Sequence, residues 1–540
     1  MKKILCVLFC LTPVFCVCCP AAAQSAQGTA YYIDSLEGSD TGDGLSPETA
    51  WKTVPVTQCA LNAGDSVLFR RGGVYECALT VNNTRGTKKS PVTITAYGEG
   101  DAPVLTAPVG TEVFRLFDCS YVTVSNLEIT APEGGGIWID ALNAPSEGIT
   151  LENLYFHNIQ NYKVNCRDNL SAGAAAARAC VMVKGLPARS LYPVNNLTVS
   201  GCEMADCGNG ISLWGAFDGS KGSPWEDDEL SDLSPVYNEG ALIENTYFHD
   251  MDAEAVIIGI CDGALMTHCR VIDCCQGEGV DENGEILYFT AAAWFWGSEN
   301  STIEYCEIAG QKNVGDGMTV DFDSQSNHCT YQYIYSHDNV RFVVNNAKTS
   351  PQVGNTVRYC LSVNDNGGRN TLTQGPGEKD FRFYNNTIIN SQRFDMDELF
   401  DSYVVNNIIV LEDGYRLNPN LDPSSYKGSV IANNCYYNCI SGLITGTKFN
   451  TVPGFSGDDY ALTESFALSK DSPLVGTGYE IPGDDCETDF FGNIITSRNI
   501  GCYGGAGTDS PYRRETLFEK ALRFIKCLFN MLRNSIEGKN

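Results

Sequence analysis

Two aspartates set two residues apart, in the stretch Met318-Thr319-Val320-Asp321-Phe322-Asp323, are the side chains best suited to acid–base chemistry. Strand alternation puts Met318, Val320 and Phe322 on one face and Thr319, Asp321 and Asp323 on the other. The apolar face must turn to a core, so both carboxylates are expected to project outward. Like charges this close push one pKa above the other, which separates a proton donor from an ionised partner. Cleaving a glycosidic bond takes such a pair, one carboxyl protonated and the other ionised. The pair must also lie open on the surface.

Neighbouring segments supply what a sugar site needs beyond carboxylates. In Ala-Trp-Phe-Trp, Ala293 and Phe295 are expected inward and Trp294 and Trp296 outward. In Gly-Ile-Ser-Leu-Trp, Ile211 and Leu213 point in and Trp214 out. The stretch Phe-Val-Val-Asn-Asn adds Asn345 or Asn346, flanked by Arg341 and Lys348. Aromatic faces pack against the C–H faces of pyranose rings, and amides and charges take the hydroxyls. His337 and Asp338, at the end of the next strand, are placed to orient the aspartates or bind substrate. Glu282, Glu285 and Glu299 are reserve carboxylates.

Other readings of these residues stay open. An outward Asp-x-Asp is also a solvated pair or a calcium site, and Tyr335-Ser336-His337-Asp338-Asn339 is also a structural corner. A β-elimination would use Arg341, Lys348 or His337 as base, with Ca²⁺ on Asp321 and Asp323. A non-catalytic carbohydrate-binding protein would use the same surface. Two acidic stretches read as solvated structure, Asp34/Asp40/Asp43 as a cap turn and Glu226 to Glu229 as a loop.

What brings these segments together is a repeat. A short strand pattern recurs from about residue 113 to 440: TVSNLEI (123–129), TLENLYF (150–156), TVSGCEM (198–204), LIENTYF (242–248), TIEYCEI (302–308), TYQYIYS (330–336) and TVRYCLS (356–362). Aligned, it sets Val124/Leu127 over Leu151/Leu154, Val199/Cys202, Met266/Cys269, Ile303/Cys306, Tyr331/Ile334 and Val357/Cys360. Asn385-Asn386, Asn406-Asn407 and Asn433-Asn434 then line up one coil apart. One strand–turn unit cannot bury its own apolar face, whereas a stack buries a continuous core. The fold expected is all-β, a right-handed parallel β-helix solenoid with an N-terminal cap and a C-terminal amphipathic helix.

The ends fit that solenoid. Residues 24–110 read as the N-terminal cap and first coils, with Ser46, Pro47 and Glu48 opening a helical turn. The helix proper is expected over 111–505. In 506–540, Leu517, Ala521, Ile525, Leu528, Leu532 and Ile536 form a helical stripe among Arg514, Lys520, Arg523, Lys526 and Arg533. Such a helix packs on the last coil or meets a membrane surface.

Lys2-Lys3, the apolar run Ile4 to Val17 and Ala21-Ala22-Ala23 read as a secretory signal peptide over 1–23, cleaved near Ala23, which implies export. The formal charge of −30 argues against a nucleic-acid partner. Five of 24 cysteines fall in the signal segment, and the other 19, many of them at apolar columns, are expected to be mostly buried free thiols with a few disulfides. No CxxC…CxxC spacing suggests structural zinc.

Three stretches resemble the pectate-lyase-like right-handed β-helix proteins, particularly exported bacterial ones of polysaccharide-degrading systems. They are YYIDSLEGSDTGDGLSPETAWKTV…AGDSVLFRRGGVY (31–75), GDGMTVDFDSQSNHCTYQYIYSHDN (315–339) and DSPLVGTGY…DFFGNIITSRNIGCYGG (471–505). The resemblance covers about residues 31–505 and implies the fold. Such folds host lyases, hydrolases, epimerases and adhesive proteins, so the reaction must come from the site. Val340-Arg341 replaces the glycine pair usual after Ser-His-Asp-Asn. No Asp-Gly-x-Asp-x-Lys lyase motif and no polygalacturonase-type His-Gly pair is present. The expectation is hydrolysis of a polysaccharide or oligosaccharide, with β-elimination or simple binding as the alternatives.

Overall fold

The computed structural model describes residues 28–54, 61–159, 179–183, 192–218, 234–276, 290–345, 352–372, 378–396, 399–411, 417–419, 423–438, 448–449 and 451–509, together with Leu522, Ile525, Lys526, Phe529 and Arg533. The expected signal segment lies outside these residues, as do Glu226 to Glu229.

The repeat columns become the core. Val124, Leu151, Val199, Ile243, Met266, Ile303, Tyr331 and Val357 stand opposite one another on successive parallel strands. All are essentially unexposed. Each coil runs in turn through three sheets, A, B and C, as in the strands Val122–Ser125, Glu128–Ala131 and Gly135–Asp140, and among the described residues these sheets hold 14, 14 and 12 parallel strands. The path is a right-handed parallel β-helix, and one apolar core runs along its axis.

Each A–B corner is set by one left-handed residue. Between sheets A and B this is Asn126, Asn153, Gly201, Asn245, His268, Tyr305, Tyr333, Tyr359, Asn385, Asn406 and Asn433 in turn. Asparagine and glycine accept such φ values readily, bulkier residues at a cost. Just past this corner, the Cys202, Cys269, Cys306 and Cys360 thiols point inward and each donates to the carbonyl two residues back. Asn386, Asn407 and Asn434 then take over the position as a buried ladder, bonded at 3.0 and 2.9 Å from one backbone N–H to the next side-chain oxygen. The paired asparagines thus divide the work. Asn386 and its successors tie coil to coil, while Asn385, Asn406 and Asn433 reach outward to carbonyls of the 477–501 segment.

That segment closes the molecule. Residues 451–509 hold no strand of the three sheets and fold back over the A–B corner. Arg358 is paired there with Asp484 and Asp485, and Tyr333 donates to the Thr488 carbonyl. At the other end, Ser46 opens a single 3-10 turn, Pro47–Thr49. Asp34, Asp40 and Asp43 accept local backbone N–H groups, as a cap turn requires. The five described C-terminal positions are helical and exposed, with Ile525 of the expected stripe 61% exposed. The other stripe residues lie outside the description. No described helix is long and apolar enough to cross a membrane.

Candidate active site

The site forms on the outer face of sheet C, where the chain has just turned from sheet B. Simple alternation fails at this corner. In the strand Met318–Phe322, Thr319 and Val320 both turn inward, while Met318 joins an apolar cluster outside the barrel. Ala292 with Ala293, and Phe342 with Val343, show the same double inward step on neighbouring coils. Met318 and Thr319 are therefore on the opposite faces to those expected, because the corner takes two residues to round. Beyond it alternation resumes. With Phe295 opposite Phe322, Trp294 and Trp296 fall beside Asp321 and Asp323. Trp214 lies two coils earlier, its indole over Gly259, where a Cβ would come within 2.4 Å of the ring.

The tryptophans face outward as expected, but they are not exposed. Trp214, Trp294 and Trp296 are 1, 7 and 1% exposed. Trp214 packs on the other two at 6.4 and 5.7 Å between ring centroids. With Met182, Ile257, Ile260, Ala291, Met318 and Val344 they make a second apolar cluster on this face. Bulky apolar side chains lining up on one face bury each other, and no alternation pattern reveals that cover. Half-buried Trp138, in the same outward row four coils upstream of Trp294, was not singled out by the sequence.

A third aspartate completes the carboxylate group. Asp316 precedes the strand in the tight loop Asn313–Gly317. Its N–H and that of Gly315 donate to Asn313 Oδ1 at 3.0 and 2.9 Å. Gly317 has φ +51°, and a Cβ there would sit 2.4 Å from the Asn313 carbonyl. Burial pushes Asp316 up to about 6, with Asp323 adding to the shift and Arg341 opposing it. Asp321 is only 6% exposed. Burial first, then the charges of Asp323 and Asp316, hold its pKa well above the carboxylate range. Asp316 and Asp323 are half-buried and keep access. Of the two expected carboxylates, Asp323 is thus accessible and Asp321 is covered. The Gly-Asp-Gly of 315–317 was the available signal for Asp316, but a glycine-flanked aspartate reads as an ordinary turn.

Two further groups flank the loop. Arg341 Nη2 donates to the Val314 carbonyl at 3.1 Å, and its Nε is buried with no partner among the described residues. Glu254 is half-buried two coils upstream, pushed up to about 7 by burial and the nearby Asp316 charge. Below the strand, the buried Tyr331 hydroxyl bonds the carbonyls of Ala293 and Asp321 at 2.7 and 3.0 Å.

The remaining expected residues lie elsewhere. His337 is on the outer face of sheet B, stacked on Tyr335, its ring nitrogens taken up by Asp338 and Glu307. The same unit recurs at Tyr155/His157 with Glu128 and at Tyr247/His249 with Glu203 and Asp250. A motif repeated around a solenoid holds coils together, so His337 and Asp338 are placed as structural residues and not beside the aspartates. Asn345 is fully buried and donates to Glu378 at 3.2 Å, so it does not face the surface. Glu299 accepts from Asn327 in a corner ladder. Asn346, Lys348, Glu282 and Glu285 lie outside the described residues. Among the described residues no group of three or more His, Cys, Asp or Glu side chains is arranged to hold a metal ion.

Comparison with known proteins bears on this arrangement. A curated lacto-N-biosidase of Bifidobacterium longum subsp. longum is 25% identical over 88% of this chain. The chain spans about a third of that relative's length, 36%. A solved complex of XylC with xylose, 10% identical, covers 89% of this chain and 99% of that one at a TM-score of 0.53. It shares the fold. A GH136 lacto-N-biosidase from Eubacterium ramulus, 17% identical, covers 79% of this chain and 68% of that one at a TM-score of 0.48. No family model matches the chain.

Proposed function

We propose that this chain is an exported glycoside hydrolase that cleaves an oligosaccharide or polysaccharide on the outer face of sheet C. The carrying observation is the pair of accessible aspartates, Asp316 and Asp323, near enough that the Asp323 charge raises the Asp316 pKa and both charges raise that of the buried Asp321. Asp316, with its pKa near 6, serves as general acid and gives its proton to the glycosidic oxygen as the C–O bond breaks. Asp323 is the ionised partner at the anomeric carbon. It acts either as nucleophile or as base toward water, and the anomeric configuration of the first product distinguishes the two. Asp321, covered and with its pKa raised by burial, takes no part in the proton transfer. Burial raises the acid's pKa, as an apolar pocket does for a catalytic carboxyl. Arg341 Nε is a buried donor that a substrate oxygen would satisfy. The lacto-N-biosidase likeness supports hydrolysis over β-elimination, and a lacto-N-bioside is the first substrate to try.

The test is to incubate the protein and its Asp316→Asn and Asp323→Asn variants with a glycan panel. Reducing ends and absorbance of unsaturated product are both followed. Reducing ends alone, lost by at least about 10³-fold in both variants, are expected. Unsaturated product would establish a lyase, and binding without turnover a carbohydrate-binding protein.

A further inference from the structure

The Tyr-Ser-His-Asp-Asn stretch has two buried members that the function above leaves unused, Ser336 and Asn339. Asn339, 3% exposed, is bonded to both ends of the segment that carries Asp316. Its Oδ1 accepts the Gln311 N–H at 3.0 Å, and its Nδ2 donates to Thr319 Oγ1 at 3.1 Å. Between these two anchors lie Asn313, Asp316 and Gly317. The same Nδ2 group also meets the Ile308 carbonyl at 3.0 Å and Ser336 Oγ at 3.1 Å.

Asn339 is itself fixed from beneath. Its backbone N–H donates to Asp365 Oδ1 at 2.9 Å. The Ser336 and Ser362 hydroxyls both donate to Asp365 Oδ2 at 2.6 Å. Because the Ser336 hydrogen is committed to Asp365, Ser336 accepts from Thr319, whose oxygen is 2.7 Å away. The hydroxyl chain therefore has one direction, Thr319 to Ser336 to the Asp365 carboxylate, and the Asn339 amide braces it from the side. Asp365, Ser336, Ser362 and Thr319 are all at 0% exposure. A buried polar network satisfied to this degree specifies one geometry.

We propose that Asn339, seated on Asp365 and Ser336, is a positioning residue that clasps both ends of the 311–319 segment and so sets the location and burial of the acid Asp316. This rests on the reading of Asp316 given above. Asn339 touches no substrate. It acts through the loop, and its loss is expected to let Asp316 shift and regain water.

The test compares Asn339→Ala with Asn386→Ala in the full chain. Asn386 is an equally buried ladder asparagine, bonded to Cys360 N–H and the Val357 carbonyl and making no bond to 311–319. Three quantities are read: hydrogen exchange over 311–319, kcat and KM, and the pH dependence of kcat. Asn339→Ala is expected to speed exchange in 311–319 and to lower kcat by about 10²-fold with KM nearly unchanged. Its alkaline limb should move below pH 6, because a re-solvated Asp316 regains an ordinary pKa. Asn386→Ala, compared at equal loss of melting temperature, should do none of these. If Asn339→Ala does not fold, Thr319→Val removes one arm of the clasp at constant shape and should lower kcat about tenfold with the same limb shift.

Unchanged exchange in 311–319 overturns the clasp without reference to activity. Faster exchange with kcat and the pH limb unmoved overturns the positioning role, as does equal behaviour of the two alanine variants. If Asp316→Asn keeps the full kcat, the site assignment falls, and the positioning role falls with it even where exchange shows the clasp.

Discussion

A carboxyl group is useful as an acid only while it still holds its proton at the working pH. Burial gives Asp316 that property, and the same burial makes its ionised form costly. The folded pKa of about 6 lies above the ordinary aspartate value of 3.8. The native state therefore holds a proton that the unfolded chain releases. Stability linked to this group is full below about pH 4, declines as pH rises toward 6, and stays reduced above that. Asp316→Asn should accordingly abolish turnover yet raise stability at pH 7.5 by about 1–3 kcal/mol. Melting curves at pH 7.5 and pH 4 check this, because the gain should vanish at the lower pH. In the wild type, kcat should fall as pH rises through about 6. The sequence offered Asp321 and Asp323 because their spacing matched a strand. Asp316 was hidden because its role comes from a loop held by Asn313 and from burial, neither of which spacing encodes.

At the scale of the strand and its corner, the contrast is between residues that a coil repeats and residues that it does not. The aligned columns Val124 to Val357 were legible because register is fixed by a buried face with period two. The step at Met318-Thr319-Val320 was not, because a corner interrupts that period and sends two successive residues inward. The histidine units of sheet B show the converse case, a motif with chemistry-like residues and a structural job. For His249 and His337, burial alone would lower the pKa, but bonds to Asp250 and Glu203, and to Glu307 and Asp338, outweigh it and raise it. Glu307 is lowered to about 2 by its bonds to His337 and Arg270. A histidine raised in the folded state stabilises fully below about pH 6.5 and loses that contribution as pH climbs through the folded value. Hence His337→Gln should leave kcat within about twofold, and should lower the melting temperature more at pH 5.5 than at pH 8.5. A large loss of kcat at matched stability would return His337 to the catalytic set.

Over the whole molecule, one core serves every coil, and the cysteines report how tightly it is closed. Fifteen cysteines are described, all free thiols, and all but Cys486 are buried. The sequence suggested this because cysteine fell at column positions where leucine or isoleucine stood on other coils. Burial raises Cys119 and Cys202 to about 11 and Cys77, Cys360 and Cys502 to about 12, so little thiolate exists near neutral pH. Cys486 differs. It lies in the closing segment over the A–B corner, half-buried, 2.9 Å from the Tyr333 hydroxyl. Exchange of alkylating reagent with the core requires coils to open, whereas reaction at Cys486 requires only that this segment lift locally. Brief alkylation of the native protein at pH 8, mapped by peptide mass, should therefore label Cys486 first among these fifteen, with the column cysteines reacting only in denaturant. Arg358→Ala, which removes the guanidinium paired with Asp484 and Asp485, should accelerate labelling of Cys486 and leave Cys202, Cys269 and Cys306 protected. Parallel acceleration at all four would mean that the closing segment and the solenoid open together as one cooperative unit.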